Sequence, residues 1–108
     1  MPHYLIQGTY NTAGTAGLVS EGGSSRITEA SALIRALGGT LESMYFVWGS
    51  DDVVGICEMP TDASAAAASL AVSSSGKVRV RMTPLIDPTD LDVAAEMARS
   101  VAYRAPGT

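Results

Sequence analysis

The chain has 108 residues, 46% hydrophobic and 17% charged, which suits one hydrophobic core and is too short for two, so a single domain is expected over residues 1–108. Seven Lys and Arg against eleven Asp and Glu give a net charge of −4, the wrong sign for gripping a phosphate backbone, and no nucleic-acid partner is expected. The amino end, MPHYLIQGTY, lacks the basic-then-apolar order of a signal peptide, no stretch approaches the roughly 20 apolar residues of a membrane helix, and the lone Cys57 cannot form an internal disulfide; these features point to the cytoplasm and to no membrane partner.

His3 to Tyr10 alternates as a first strand, with Tyr4, Ile6, Gly8 and Tyr10 on one face and Leu5, Gln7 and Thr9 on the other. Gly8 leaves a gap where a backbone or ligand could come close. Asn11 to Gly23 carries four glycines and is expected to be a connecting loop, with at most a turn of helix at Leu18-Val19. Gly17 and Gly22 have phosphate-loop spacing, but Gly23 and Ser24 stand where Lys and Ser or Thr would follow, so the motif fails.

Ser24 or Ser25 can cap a helix to about Leu37, whose stripe is Ile27, Ala30, Leu33, Ile34 and Leu37, and Gly38-Gly39 ends it. A hairpin follows, Thr40 to Trp48 and Asp52 to Met59, joined at Gly49-Ser50-Asp51-Asp52. Strict alternation puts Leu41, Tyr45 and Val47 against Met44, Phe46 and Trp48, so neither face of it is polar. Cys57, inside the second of these strands, reads as a buried inert thiol.

Pro60-Thr61-Asp62 opens an alanine-rich helix to about Ser73, smooth enough to pack close to a sheet. Lys77 to Thr83 is a fourth strand with Val78, Val80 and Met82 alternating with Lys77, Arg79 and Arg81. Asp87-Pro88-Thr89-Asp90 starts a last helix, Leu91 to about Val101, expected to bury Leu91, Ala94, Ala95, Ala98 and Val101. An extended tail follows from about residue 102. The order predicts an α+β, ferredoxin-like βαββαβ fold with an extra C-terminal helix. A sheet covered on one side only would leave apolar hairpin groups exposed, so two sheets are expected to pair as a homodimer or a higher multiple.

The Tyr-bearing first strand, Gly17-Leu18-Val19 with Glu21-Gly22-Gly23, Leu37-Gly38-Gly39, Tyr45-Phe46, Gly49, Asp52-Val53-Val54, Met59-Pro60 and Tyr103-Arg104-Ala105-Pro106-Gly107 together resemble the GYD domain family of small bacterial proteins. One departure stands out. The family's turn is Gly-x-Tyr-Asp, and here Asp51 occupies the Tyr position. The resemblance implies a ferredoxin-like fold related to dimeric α/β-barrel proteins; it hands over no catalytic residue.

Among groups that could carry chemistry, His3 is the only histidine, the natural general base, but lies at the frayed start of a strand. One His and one Cys at distant points offer no ligand spacing, so neither a metal nor a cofactor is expected. Asp51 and Asp52 are adjacent and point to opposite faces in extended backbone, which reads as a turn pair with Asp52 bonded to local N–H groups. Arg79 and Arg81 share a face and, with Gln7 and Thr9, could bind an anionic group, unless Glu58 neutralises one of them. Tyr10, Tyr45, Trp48 and Tyr103 are the aromatics that could line a pocket.

The lack of an acid–base pair, metal set or nucleophile–base pair favours a non-catalytic oligomeric module that binds a small molecule or a partner, with Arg79, Arg81, Tyr45 and Trp48 as candidate ligand contacts. The alternative is a cofactor-independent enzyme of the dimeric α/β-barrel type acting on a small anionic organic molecule. There Arg81 would hold an anionic or enolate group, Tyr10 or His3 would move the proton, and Tyr45 and Trp48 would form walls.

Overall fold

The computed structural model describes residues 1–108 and contains β1 (His3–Tyr10), α1 (Thr12–Glu21), α2 (Gly23–Ala36), β2 (Thr40–Phe46), β3 (Val53–Glu58), α3 (Asp62–Ser73), β4 (Val78–Pro84) and α4 (Pro88–Arg99). The strands form one antiparallel sheet in the order β2-β3-β1-β4. This is the strand order of the ferredoxin-like split expected from the sequence, with one helix more than anticipated.

That extra helix is α1, where glycine content suggested a loop. The Asn11 side chain caps it by accepting from the Gly14 N–H at 2.9 Å. Gly14 is buried, and a Cβ there would lie 2.3 Å from the Lys77 carbonyl oxygen, so the glycine lets α1 pass close to the start of β4. Gly22, at φ +85, turns the chain directly from α1 into α2, so α2 starts one residue before Ser24 and has no serine cap. Gly38, at φ +88, ends α2 as expected.

The core lies between the sheet and α2 and α3. Tyr4, Ile6, Ile34, Cys57, Met59, Ala65 and Ala68 are buried there, with Leu37, Leu41, Met44, Val80 and Met82 packed around them. The side chains of Val53 and Val80 fill the gap at Gly8. Thr61 and Ser64 form a reciprocal capping box at the start of α3. Its alanines bring that helix so close that Ser69 donates to the Val80 carbonyl at 2.7 Å and the Val80 N–H donates to Ser73 at 3.1 Å. Two serines thereby occupy main-chain groups of the edge strand β4 that would otherwise invite another strand.

A bulge between Leu41 and Ser43 changes the faces of β2. Leu41 opposes Cys57, Met44 opposes Gly55 and Phe46 opposes Val53, so all three point to the helices, whereas strict alternation put Leu41 with Tyr45. The extra residue reverses the alternation part way along the strand. The uncovered face therefore carries His3, Leu5, Gln7 and Thr9 from β1, Val54, Ile56 and Glu58 from β3, Ser43 and Tyr45 from β2, and Arg79 and Arg81 from β4.

The expectation for α4 fails in its packing. It forms the helix, but none of its residues is buried, and Leu91 and Val101 stay 59% and 67% exposed. No other element of the chain packs extensively against it. The molecule is accordingly 56 Å long, with a radius of gyration of 17.3 Å against the roughly 13 Å of a compact chain of about 100 residues.

Candidate functional site

The structure sorts the polar and aromatic groups into three places. The first is a pocket of about 250 Å³ on the helix side of the sheet, lined by residues of both α2 and α3. Ala30 and Leu33 of α2, Ala68 and Val72 of α3, and Ile6, Phe46 and Val80 of the sheet wall it. The apolar stripe of α2 and the alanine face of α3 would close the core if the helices packed extensively against each other; with little contact between them, they line a cavity instead. Tyr10, Arg26 and Glu29 are its only lining groups with polar side-chain atoms. Arg26 is steadied by Glu21 at 3.6 Å. The pocket contains no histidine, cysteine or serine, so it has the chemistry of a binding cavity for an apolar body with a polar end.

The second place is the end of the uncovered face where the hairpin loop folds back on β1. Asp51 accepts from Arg81 at 3.0 Å, Gln7 Nε2 at 3.1 Å and Thr9 Oγ1 at 3.5 Å. Arg81, Gln7 and Thr9 thus converge as their shared face implied, but the anion they meet is the chain's own Asp51, and Glu58 has no part in it. The acid at the position where the family has Tyr is thereby accounted for by an arginine opposite. Asp52 differs from its expected local role: its Oδ2 accepts from the Tyr10 N–H at 2.8 Å, and its own N–H donates to the Gly8 carbonyl at 2.9 Å. It extends the β1–β3 ladder back beyond the start of β3.

The third place is the opposite end of that face. His3 is paired within β1, not frayed, and stands directly across from Glu58. Its Nε2 lies 2.8 Å from Glu42 and 3.1 Å from Glu58. Strand register, and not spacing along the chain, brings the two glutamates to His3, whereas Cys57 is buried on the other face of the sheet.

The remaining candidates do not share one site. Tyr45 on β2 and Arg81 on β4 occupy opposite edges of the sheet, three strand spacings or about 14 Å apart. Tyr10 faces the pocket while Arg79 and Arg81 face away from it, and seven residues of strand, about 23 Å, separate Tyr10 from His3. Trp48, on the hairpin loop, and Tyr103, in the tail, are exposed. Arg79 is exposed on the strand beside Thr9.

Two further groups have shifted acidities. The Tyr4 phenol donates to Asp62, and that bond, with burial, holds its pKa above the ordinary value. Burial, with the Glu42 charge nearby, pushes the Cys57 thiol up to about 11, which keeps it protonated and unreactive, as expected from its place in the strand.

No helix is long and apolar enough to cross a membrane. A family model described as GYD domain matches residues 4–95, most of the chain. No curated protein and no solved structure matches it.

Proposed function

The chain belongs to the GYD domain family, and from that premise we propose that it is a non-catalytic, self-associating module that binds a small, mainly apolar molecule between α2, α3 and the sheet. The observation that carries this reading is the pocket of about 250 Å³ with its almost wholly apolar wall. A dry cavity of about 150 Å³ already accepts a benzene-sized guest, so this one suits a body somewhat larger. Tyr10 and Arg26 supply a phenol and a cation for one polar or anionic group at its end. The catalytic alternative lacks comparable support, because Arg81 lies across the sheet from Tyr10 and at the other end of the uncovered face from His3.

Self-association is supported by the uncovered face. Leu5, Val54 and Ile56 run across its middle beside Tyr45, which is 69% exposed, and a second copy facing it would remove this strip from water. Native mass spectrometry tests this part, and a monomer at micromolar concentration refutes it.

The pocket is tested by fluorescence titration with 8-anilinonaphthalene-1-sulfonate, an apolar body with one anionic group. Saturable binding by the native protein should weaken at least tenfold in both Ala30→Phe and Val72→Phe, which fill the cavity, with far-UV circular dichroism unchanged. Absence of saturable binding, or equal affinity in the two filled variants, overturns the reading.

A further inference from the structure

We propose that His3, Glu42 and Glu58 form a binding site for a first-row divalent cation, held by one imidazole nitrogen and one oxygen from each of two carboxylates. The inference goes beyond the pocket reading and does not depend on it, since the cluster lies on the opposite face of the sheet.

The three residues come from three adjacent strands. Register places His3 of β1 directly opposite Glu58 of β3, so their side chains leave the sheet on one face. Glu42 joins them because of the bulge in β2: it is the extra residue between Leu41 and Ser43, released from the ladder and turned toward His3. The donor atoms all lie within 4.8 Å of one another. A cation about 2.0–2.2 Å from each needs only small rotations of the two carboxylates, because the backbone positions are fixed by strand pairing.

Electrostatics argues that the cluster lacks a partner. The same nitrogen, Nε2, approaches both carboxylates, at 2.8 Å and 3.1 Å. That nitrogen carries at most one hydrogen, and one N–H bond points in one direction, so it cannot give both oxygens a straight hydrogen bond. Neither glutamate has a lysine or arginine as ion-pair partner. With a neutral imidazole, two negative charges meet one shared donor. A dication in place of the proton balances both charges and bonds all three atoms at once.

The donor set defines the class of ion. One imidazole and two carboxylates suit Zn²⁺, Mn²⁺ or Fe²⁺ and leave coordination positions open for water or a ligand atom; Ca²⁺ and Mg²⁺ prefer all-oxygen shells of more ligands. Each side chain is about one third exposed, 34%, 38% and 33%, which gives the ion a route in.

The test is calorimetric titration of the metal-stripped full chain with Zn²⁺ near neutral pH. The variants are His3→Ala, Glu42→Gln and Glu58→Gln; each glutamine keeps the shape of the side chain, and circular dichroism verifies each fold. The expected result is one ion per chain, with affinity at least tenfold weaker in each variant, and no saturable binding of Mg²⁺ at the same concentration. Absence of saturable Zn²⁺ binding by the native chain overturns the proposal. So does a loss confined to His3→Ala, which would mean that the glutamates are not ligands.

Discussion

Removing the Asp52 carboxylate tests whether the hairpin loop is part of the sheet or an ornament on it. In the Asp52→Ala variant the Tyr10 N–H loses its acceptor at 2.8 Å, while the Asp52 main-chain bond to Gly8 can remain. A hydrogen bond to a charged group contributes about 1.5–3 kcal/mol net. Both residues are half-buried, so water reaches the freed N–H in part and the lower end of that range applies, about 1.5–2 kcal/mol. For a domain of this size such a loss lowers the melting temperature by on the order of 10 °C. Asp52→Asn keeps a neutral acceptor of the same shape and should lose about half as much. Urea unfolding followed by circular dichroism measures both variants. Equal losses in the two, or a loss below about 0.5 kcal/mol in Asp52→Ala, would refute the assignment of Asp52 as an acceptor for the central strand.

Two other outcomes follow from the packing of glycines and of Cys57. A Cβ at Gly39 would lie 2.3 Å from the Glu58 carbonyl oxygen and 2.5 Å from the Met59 sulfur, whereas one at Gly17 meets nothing within 4 Å. Gly39→Ala should therefore destabilise by about 2 kcal/mol or more, while Gly17→Ala, within α1, should be neutral or stabilise by up to about 1 kcal/mol; the reverse order in urea unfolding would show the contact at Gly39 to be soft. Cys57 contributes a pH dependence whose sign is fixed: its folded pKa of about 11 lies above the ordinary 9.0, so the unfolded chain loses the proton first. Its stabilisation is complete below about pH 9 and falls by about 2–3 kcal/mol as pH rises to about 11. Tyr4 adds a loss of the same sign above its ordinary value of 10.0, and it does so in native protein and Cys57→Ala alike. Stability slopes measured by urea unfolding between pH 8 and 11 should be shallower in Cys57→Ala; identical slopes would remove the thiol as their source.

Most of the architecture was legible because period and punctuation agreed. Alternation marked β1 and β4, the stripe from Ile27 to Leu37 marked α2, and Pro60-Thr61-Asp62 marked the start of α3. The errors have particular physical causes. Glycines made α1 look like a loop because propensity counts their cost, while the reason for Gly14, contact with the Lys77 carbonyl, exists only once β4 is in place. The faces of β2 were misread at Leu41 because a bulge leaves no mark in a period-two pattern. The stripe on α4 correctly announced a helix with one apolar face, but a pattern states what a helix could bury and not that this chain provides the cover. The candidate sites were less legible still. Arg81, Gln7 and Thr9 were grouped correctly by face, yet their partner Asp51 arrives through a loop, and Glu42 reaches His3 only through the bulge. The pocket arises from two helices with little contact between them, an arrangement that neither helix encodes by itself.

The bare flank of α4 gives the chain two thermodynamic compartments. A helix of twelve residues is marginal in water by itself. Its own supports are Pro88 in the first turn, Asp90 near the positive end of its dipole and Arg99 near the negative end, each contributing a fraction of the total. The sheet and its two covering helices share a core to which Pro88–Arg99 contributes no residue, so that segment can lose its winding separately from the rest. Its amide protection is therefore expected to fall far below that of the core strands, because only its own hydrogen bonds and end charges hold it wound.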